Sequence, residues 1–138
     1  MIQSDRIRCL RDVPLFENCS KRDIRTLASQ TRIEQIEAGH TLLAEGSPSP
    51  NLYLLVTGTL SVHRNGRQVA SLEPGDPVGE LGFILGQPRN ATIRAETPAE
   101  LLVLDQTSLR RALDDVPGLG WKLLKSVAER LNSSAPGI

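Results

Sequence analysis

The segment of residues 79–92 has residue types and spacing suited to binding a small anion. Gly79 has no Cβ, so its backbone can approach a ligand closely. The mostly apolar run 80–85 can form about one and a half helical turns, and the unpaired N–H groups that begin a helix favour an anion. Gly86 and Pro88 then end the helix and turn the chain. Arg89 follows, with a planar guanidinium group that can bind two oxygens of a phosphate.

Glu80 and Arg89 are nine positions apart, so they cannot form a salt bridge along one helix. Such a bridge needs a spacing of three or four, and residues nine apart point in opposite directions at about 100° per residue. The break at Gly86 and Pro88 folds the segment back, which lets both side chains meet at one site. The alternative is a capped helix with two solvated charges, since such charges are mostly exposed. The order of glycine, helix start, breaker and arginine favours a site for a phosphate ester of a sugar.

The sequence Gly79-Glu80-Leu81-Gly82, followed by Pro88-Arg89-Asn90-Ala91-Thr92, resembles the phosphate-binding cassette of cyclic nucleotide-binding domains. Three more segments are similar to family motifs: the N-terminal helical motif, the central strand pair with its glycine turn, and the turn before the cassette, here residues 13–16, 51–62 and 72–76. The resemblance covers about residues 10–132. It implies a mainly β fold, a double-stranded β-helix (jelly-roll β-roll) flanked by N- and C-terminal helices. Protein kinase regulatory subunits, cyclic-nucleotide-gated channels and Crp/Fnr-type regulators share this fold.

The resemblance implies a role for each residue of the cassette. Arg89 is expected to bind the exocyclic oxygens of a cyclic phosphate, and Glu80 to accept a hydrogen bond from the ribose 2′-hydroxyl. Backbone groups around the phosphate and sugar are expected from Gly79, Leu81, Gly82 and Ala91. Two roles are open for Thr92, either a hydroxyl hydrogen bond to the ligand or simply the start of the next strand.

Asn90 and Arg130 bear on recognition of the base. In the family, a small residue at the position of Asn90 is compatible with cAMP, whereas threonine favours cGMP. Asparagine has both donor and acceptor atoms, so the base stays open, and we favour cAMP over cGMP. The base usually needs a lid from the last helix, and Arg130 can stack on a purine face there; a solvated Arg130 is the alternative. Trp121 is expected to anchor the packing of that helix rather than to stack on the ligand.

The pattern along the chain predicts helices at both ends and short strands between them. Ser20 and Asp23 have the spacing of a capped helix start, for a helix that ends near Gln30. Short apolar segments separated by glycine turns follow, with Asn65-Gly66 as a two-residue hairpin turn. Many such strands are typical of a sandwich or jelly roll.

We therefore interpret residues 1–138 as a single domain. Its parts are N-terminal helices in residues 1–30, a β-roll in 31–104 and C-terminal helices in 105–138. The last helix, predicted over residues 120–132, is amphipathic and carries Trp121, Leu124, Val127 and Leu131 at spacings of three and four.

Charge and composition argue against several classes of protein. The formal net charge is zero, whereas domains that bind nucleic acid directly usually carry a basic excess. No apolar run approaches the roughly 20 residues that span a bilayer, and residues 1–6 lack the apolar core of a signal peptide, so we expect a cytoplasmic protein. His40 and His63 are the only histidines, and neither has a partner in the sequence for a metal site or a catalytic triad. We expect no metal, no cofactor and no enzymatic activity.

The expected function is that of a sensor whose C-terminal helices move when the ligand, cAMP or else cGMP, binds the cassette. The signal would pass to an effector domain or partner protein that is not in this chain. Too few residues follow Asn132 for a helix-turn-helix, so one alternative is the sensory half of a Crp/Fnr-like transcription regulator without its DNA-binding module. The final helix could then form a homodimer. Another alternative is a degenerate β-roll that serves only as an interaction module, although burying Glu80 and Arg89 without a ligand would be costly.

Overall fold

The computed structural model describes residues 2–78, 84, 86 and 88–134. The chain divides into two compact units. One consists of Met1–Gln30 together with Thr107–Ile138, and the other is Thr31–Gln106. The described part of the first unit is mainly helical, and the second unit is built from two β-sheets.

Within its described residues, the helical unit contains a 3-10 turn at Pro14–Phe16 and four helices: α1 Gln3–Arg11, α2 Lys21–Ser29, α3 Gln106–Asp115 (whose first residue belongs to the other unit) and α4 Leu119–Ser134. The predicted start of α2 is confirmed. The Asp23 N–H donates to the Ser20 hydroxyl (3.1 Å), and the Ser20 N–H donates to the Asp23 carboxylate (2.9 Å). This reciprocal pair satisfies two backbone donors at the helix start, as a capping box does.

Helix α4 has one buried face and one exposed apolar face. Leu119, Leu123 and Ser126 are buried, and their spacing of four and three places them on the same side of the helix. Trp121 is 71% exposed and lies about 200° around the helix from Leu119. The expectation that Trp121 anchors the packing is therefore wrong, because Leu119 and Leu123 fill that role.

The described part of the β unit forms two four-stranded antiparallel sheets, of order β1-β8-β3-β6 and β2-β7-β4-β5. The strands are β1 Arg32–Ile36, β2 Thr41–Leu43, β3 Asn51–Thr57, β4 Leu60–Arg64, β5 Arg67–Leu72, β6 Pro77–Val78, β7 Thr92–Ala95 and β8 Ala99–Asp105. Side chains of both sheets form a common core, which includes Leu43, Tyr53, Leu55, Leu60, Val78, Ala91, Ile93, Ala95, Ala99, Leu101 and Val103. Antiparallel sheets with flanking helices confirm the predicted β-roll.

Glycine shapes the turns at both ends of β4. Asn65 and Gly66 both have positive φ (52° and 77°), which is the geometry of a type I′ turn, so the predicted hairpin between β4 and β5 is confirmed. Gly58 joins β3 to β4 with φ +94°, and a Cβ there would lie 2.5 Å from the carbonyl oxygen of Pro98. Only glycine allows the two segments to approach this closely.

Candidate ligand-binding site

The structure describes one end of the predicted cassette. Gly79, Glu80, Leu81 and Gly82 lie outside the described residues, so their predicted roles stay predictions. Within the short run 80–85, Ile84 is described; it is helical and exposed. Arg89, Asn90, Ala91 and Thr92 are described, and all four lie between the β2–β3 loop (residues 44–50), the β4–β5 hairpin and the start of β7.

Arg89 is buried, with 6% of its surface exposed, and its guanidinium group is held by the end of the β2–β3 loop and the start of β3. Its Nη2 donates to the carbonyl oxygens of Ser49 (2.9 Å) and Asn51 (2.5 Å). The backbone is fixed as well, because the Arg89 N–H donates to Ser47 O (3.0 Å) and its carbonyl accepts from Gly46 N (2.7 Å). The side chain is therefore oriented by contacts that do not require a ligand.

Burial lowers the pKa of Arg89 below its ordinary value, and Tyr53 nearby acts in the opposite direction. The group remains a cation near neutral pH, since an arginine is effectively always protonated. Removing a cation from water costs free energy, and a bound anion stabilises the charged form. An arginine in this position is thus well suited to an anionic ligand such as a phosphate.

The next three residues have different surroundings. Asn90 is exposed, and its carbonyl accepts a hydrogen bond from Nε of Arg64 (3.2 Å). Ala91 is buried and belongs to the core of the β unit. Thr92 begins β7, and its hydroxyl accepts from the backbone N–H of Glu45 (3.0 Å). Of the two roles open for Thr92, the structure describes the strand start, and the ligand contact stays a prediction.

The contribution of the β2–β3 loop is not evident from the cassette motif. The loop and the first residue of β3 supply the carbonyl groups that hold Arg89. A signal is present in Ser47-Pro48-Ser49-Pro50: a residue before proline is restricted to extended conformations. Proline also has no N–H to donate, so such a stretch is well suited to presenting carbonyl oxygens.

Arg130, the predicted base lid, lies on α4 and is exposed. Its role over the base stays a prediction. Within the described ranges, no three His, Cys, Asp or Glu side chains come together as metal ligands. Nor does any helix in that part of the chain combine the length and apolar character that crossing a membrane requires.

Comparison with known proteins agrees with this geometry. The model of the cyclic nucleotide-binding domain family matches residues 33–115, which include strands β2 to β8, all of β1 except its first residue, the cassette and the whole of α3. The chain belongs to the cyclic nucleotide-binding domain family. The resemblance that the cassette residues suggested is thereby confirmed.

Relatives of this domain include two kinds of regulator. The chain is 29% identical over 122 residues to a CRP-like cAMP-activated global transcriptional regulator of Mycobacterium tuberculosis, covering 85% of this chain and 54% of the relative. It is 32% identical over 108 residues to a cAMP-dependent protein kinase regulatory subunit of Eremothecium gossypii, covering 78% of this chain and 24% of that protein. The chain thus spans about half or less of these curated relatives.

A solved structure matches over nearly the whole domain. The N-terminal domain of a transcriptional regulator from Streptomyces coelicolor superimposes with a TM-score of 0.86 and 31% sequence identity. The match covers 94% of this chain and 96% of that one. The helices at both ends are therefore part of the shared architecture, together with the β-roll.

Proposed function

We propose that this chain is a regulatory domain that binds a cyclic nucleotide, cAMP in preference to cGMP, at the cassette of residues 79–92. The observation that carries the proposal is the buried guanidinium group of Arg89 near the end of the cassette, which is held by the carbonyl oxygens of Ser49 and Asn51. A cation held in place before the ligand arrives binds a phosphate without the entropic cost of ordering a long side chain. The roles of Glu80, Gly79, Leu81 and Gly82 in holding the sugar and phosphate are part of the proposal.

The preference for cAMP rests on two supports. Relatives at 29% and 32% identity are named as cAMP-activated and cAMP-dependent proteins. Asn90 is exposed at the end of the cassette, where its amide is available to a base, and it is not the threonine that favours cGMP in the family. Arg130 is the proposed lid over the base.

Ligand binding is proposed to move the C-terminal helices. A ligand shifts such an equilibrium only to the extent that it binds the two arrangements with different affinity. A lid residue on α4 supplies that difference, because Arg130 would contact the base in the covered arrangement and lose the contact in the open one. The signal would then reach an effector domain or a partner protein, and a cytoplasmic location is part of this proposal.

The exposed face of α4 supports a homodimer. Trp121, Leu124 and Leu131 are exposed, and together with Ala128 they repeat at spacings of three, four and three. These are the a and d positions of a coiled coil, whose apolar side chains pack against the same positions of a second helix. We propose that the partner is a second copy of this chain.

The alternative is the sensory half of a Crp/Fnr-like transcription regulator. It is favoured by the match to the N-terminal domain of a transcriptional regulator over 94% of this chain. Both functions use the same pocket and differ in the effector. A degenerate β-roll that binds only protein predicts an empty pocket, so a ligand titration separates it from the other two.

Isothermal titration calorimetry with cAMP, cGMP and cyclic dinucleotides tests the proposal. We expect saturable binding of cAMP, weaker binding of cGMP and no binding of the larger cyclic dinucleotides. If none of these nucleotides gives a binding heat or raises the melting temperature, the sensor function is contradicted and the interaction module is favoured. Hydrogen exchange of α4 with and without cAMP tests the movement, since a helix that covers the base must gain protection.

A further inference from the structure

The end of the cassette is joined to the β4–β5 hairpin by side-chain hydrogen bonds. Nε of Arg64 donates to the carbonyl of Asn90 (3.2 Å). The Glu45 carboxylate accepts from the backbone N–H of Asn65 in the hairpin turn (3.3 Å), while the N–H of Glu45 donates to the hydroxyl of Thr92 (3.0 Å). We call these three contacts the hairpin clamp.

The clamp holds a part of the chain that lies beyond the hydrogen-bonded ladder between β4 and β7. The ladder between β4 and β7 pairs Leu60 with Ala95 and ends with His63 opposite Thr92. Asn90 lies two residues beyond that last pair, where no ladder hydrogen bond between β4 and β7 holds it. The hydrogen bond from Arg64 therefore holds a carbonyl group that lies beyond the paired residues of the sheet.

A cavity lies beside the clamp. It has a volume of about 230 Å³ and is lined by Glu45, His63, Asn65, Gly66, Thr92 and Arg94. Arg64, Glu45 and Asn90 are all exposed. The neighbours of Asn90 are held by other contacts, because the backbone of Arg89 is paired with residues 46 and 47 and Ala91 is buried in the core. The Arg64 contact therefore acts on the Asn90 carbonyl itself.

We propose that Arg64 and Glu45 are positioning residues that orient Asn90 and thereby set the discrimination between cAMP and cGMP. The inference rests on the proposed function, since it concerns the same pocket. Asn90 carries a side-chain donor and acceptor that can distinguish the two purines by their exocyclic groups. Its side chain can discriminate only if its backbone is held, because a hydrogen bond weakens steeply as its angle departs from linear. Arg64 restrains that backbone directly, and Glu45 restrains the hairpin that carries Arg64.

The test compares Arg64→Ala with Arg67→Ala in calorimetric titrations with cAMP and cGMP. Arg67 is the matched control: it lies on the same hairpin, is exposed, and removes the same charge. We expect Arg64→Ala to weaken cAMP binding by about 3- to 10-fold and to reduce the cAMP-to-cGMP preference by at least about 3-fold, as for one lost hydrogen bond. Arg67→Ala should match the wild type in both. An equal loss for both nucleotides, or identical behaviour of the two variants, would overturn the positioning role.

A readout without ligand separates this inference from the proposed function. Amide NMR spectra of the nucleotide-free protein should show shifted signals for Asn90 and Ala91 in Arg64→Ala and unshifted signals in Arg67→Ala. If the wild type binds no cyclic nucleotide, the proposed function and the specificity role fall together. If the wild type binds and the Asn90 signals do not move in Arg64→Ala, the clamp alone is refuted.

Glu45 offers a second test that preserves the fold. Glu45→Gln keeps an oxygen that accepts from the Asn65 N–H, and Glu45→Ala removes it. The backbone contact from Glu45 to Thr92 remains in both variants. We expect Glu45→Ala to reduce the cAMP preference in the same direction as Arg64→Ala and Glu45→Gln to restore it. Equal preferences in the two Glu45 variants contradict the clamp.

Discussion

Asp23 and Lys122 form a salt bridge, with Oδ2 and Nζ 2.6 Å apart, although 99 residues separate them in the sequence. A second polar contact lies beside it, because Nδ2 of Asn18 donates to the hydroxyl of Ser126 (2.8 Å). The first two turns of α4 are thus fastened to the segment that begins α2. A movement of α4 as a whole must carry this segment along or break both contacts.

The salt bridge predicts how stability depends on pH. Burial alone would raise the pKa of Asp23, but hydrogen bonds from Lys122 and Ser20 outweigh it and lower the pKa below 3.8. Since the folded value lies below the unfolded one, the contribution is present above about pH 4 and is lost as the pH falls through the folded value. Urea denaturation from pH 7 to pH 3 should therefore show a smaller stability difference between wild type and Asp23→Asn at pH 3. A difference that does not change with pH would contradict this.

Removing the cation tests the same bridge from the other side. Lys122→Met removes the cation that pairs with the buried Asp23 carboxylate and should lower the free energy of unfolding by about 1–3 kcal/mol, less than for a fully buried pair because Lys122 is partly exposed. Lys125→Met, an exposed lysine on the same helix, is the matched control and should change stability by less than about 0.5 kcal/mol. Chemical denaturation measures both. Equal stabilities would mean that the bridge contributes nothing.

Among the described glycines of the β unit, Gly58 is the position where a single methyl group should be most damaging. In Gly58→Ala the Cβ would meet the Pro98 carbonyl at 2.5 Å and Ala99 at 2.9 Å, on a backbone with φ +94°. We expect a loss of about 3 kcal/mol or more, combining strain with displacement of the β8 start. Gly39→Ala has a similar φ of +86° and nothing within 4 Å of its Cβ, so it should cost only about 1–2 kcal/mol. Similar melting temperatures for the two variants would show that the close approach is not rigid.

Much of the fold could be predicted from local sequence chemistry. Ser20 and Asp23 mark a helix start, and Asn65-Gly66 marks a hairpin, because each pattern satisfies backbone groups or allows positive φ within a few residues. The two faces of α4 could not be separated in this way. Trp121 and Leu119 are both apolar, and only the tertiary contacts decide which one is buried. Similarly, Arg89 was predicted from the cassette, whereas the Ser49 and Asn51 carbonyls that hold it lie about 40 residues earlier in the sequence. The prolines beside Ser49 indicate that carbonyl groups are available there, but not which side chain they bind.

Arg89→Ala should weaken cyclic nucleotide binding by about 2–5 kcal/mol, as expected when one member of a buried charge pair is removed. Arg94→Ala is the control, because Arg94 is an exposed arginine on β7 that does not take part in the contacts of Arg89 with Ser49 and Asn51. Calorimetry with cAMP gives the affinities, and circular dichroism shows whether each variant is folded. Arg89→Lys separates charge from geometry: it keeps the cation but cannot reach both carbonyls and two phosphate oxygens at once, so we expect it to remain weaker than wild type. If Arg89→Ala binds cAMP with wild-type affinity, the proposed role of the cassette in binding the ligand is refuted.

The exposed residues Trp121, Leu124, Ala128 and Leu131 form an apolar stripe on α4. The stripe predicts that the chain self-associates and that a charged side chain placed within it abolishes the association. Burying one leucine contributes about 1.5–3 kcal/mol, so Leu124→Lys or Leu131→Lys should raise the dimer dissociation constant by more than about tenfold. Ser133→Lys adds the same charge to the same helix outside the stripe and should leave the dimer unchanged. Sedimentation velocity over a range of concentrations measures all three. A wild type that sediments as a monomer at every concentration would show that the stripe serves another partner, and equal dimerisation of Leu124→Lys and Ser133→Lys would place the dimer contact elsewhere on the molecule.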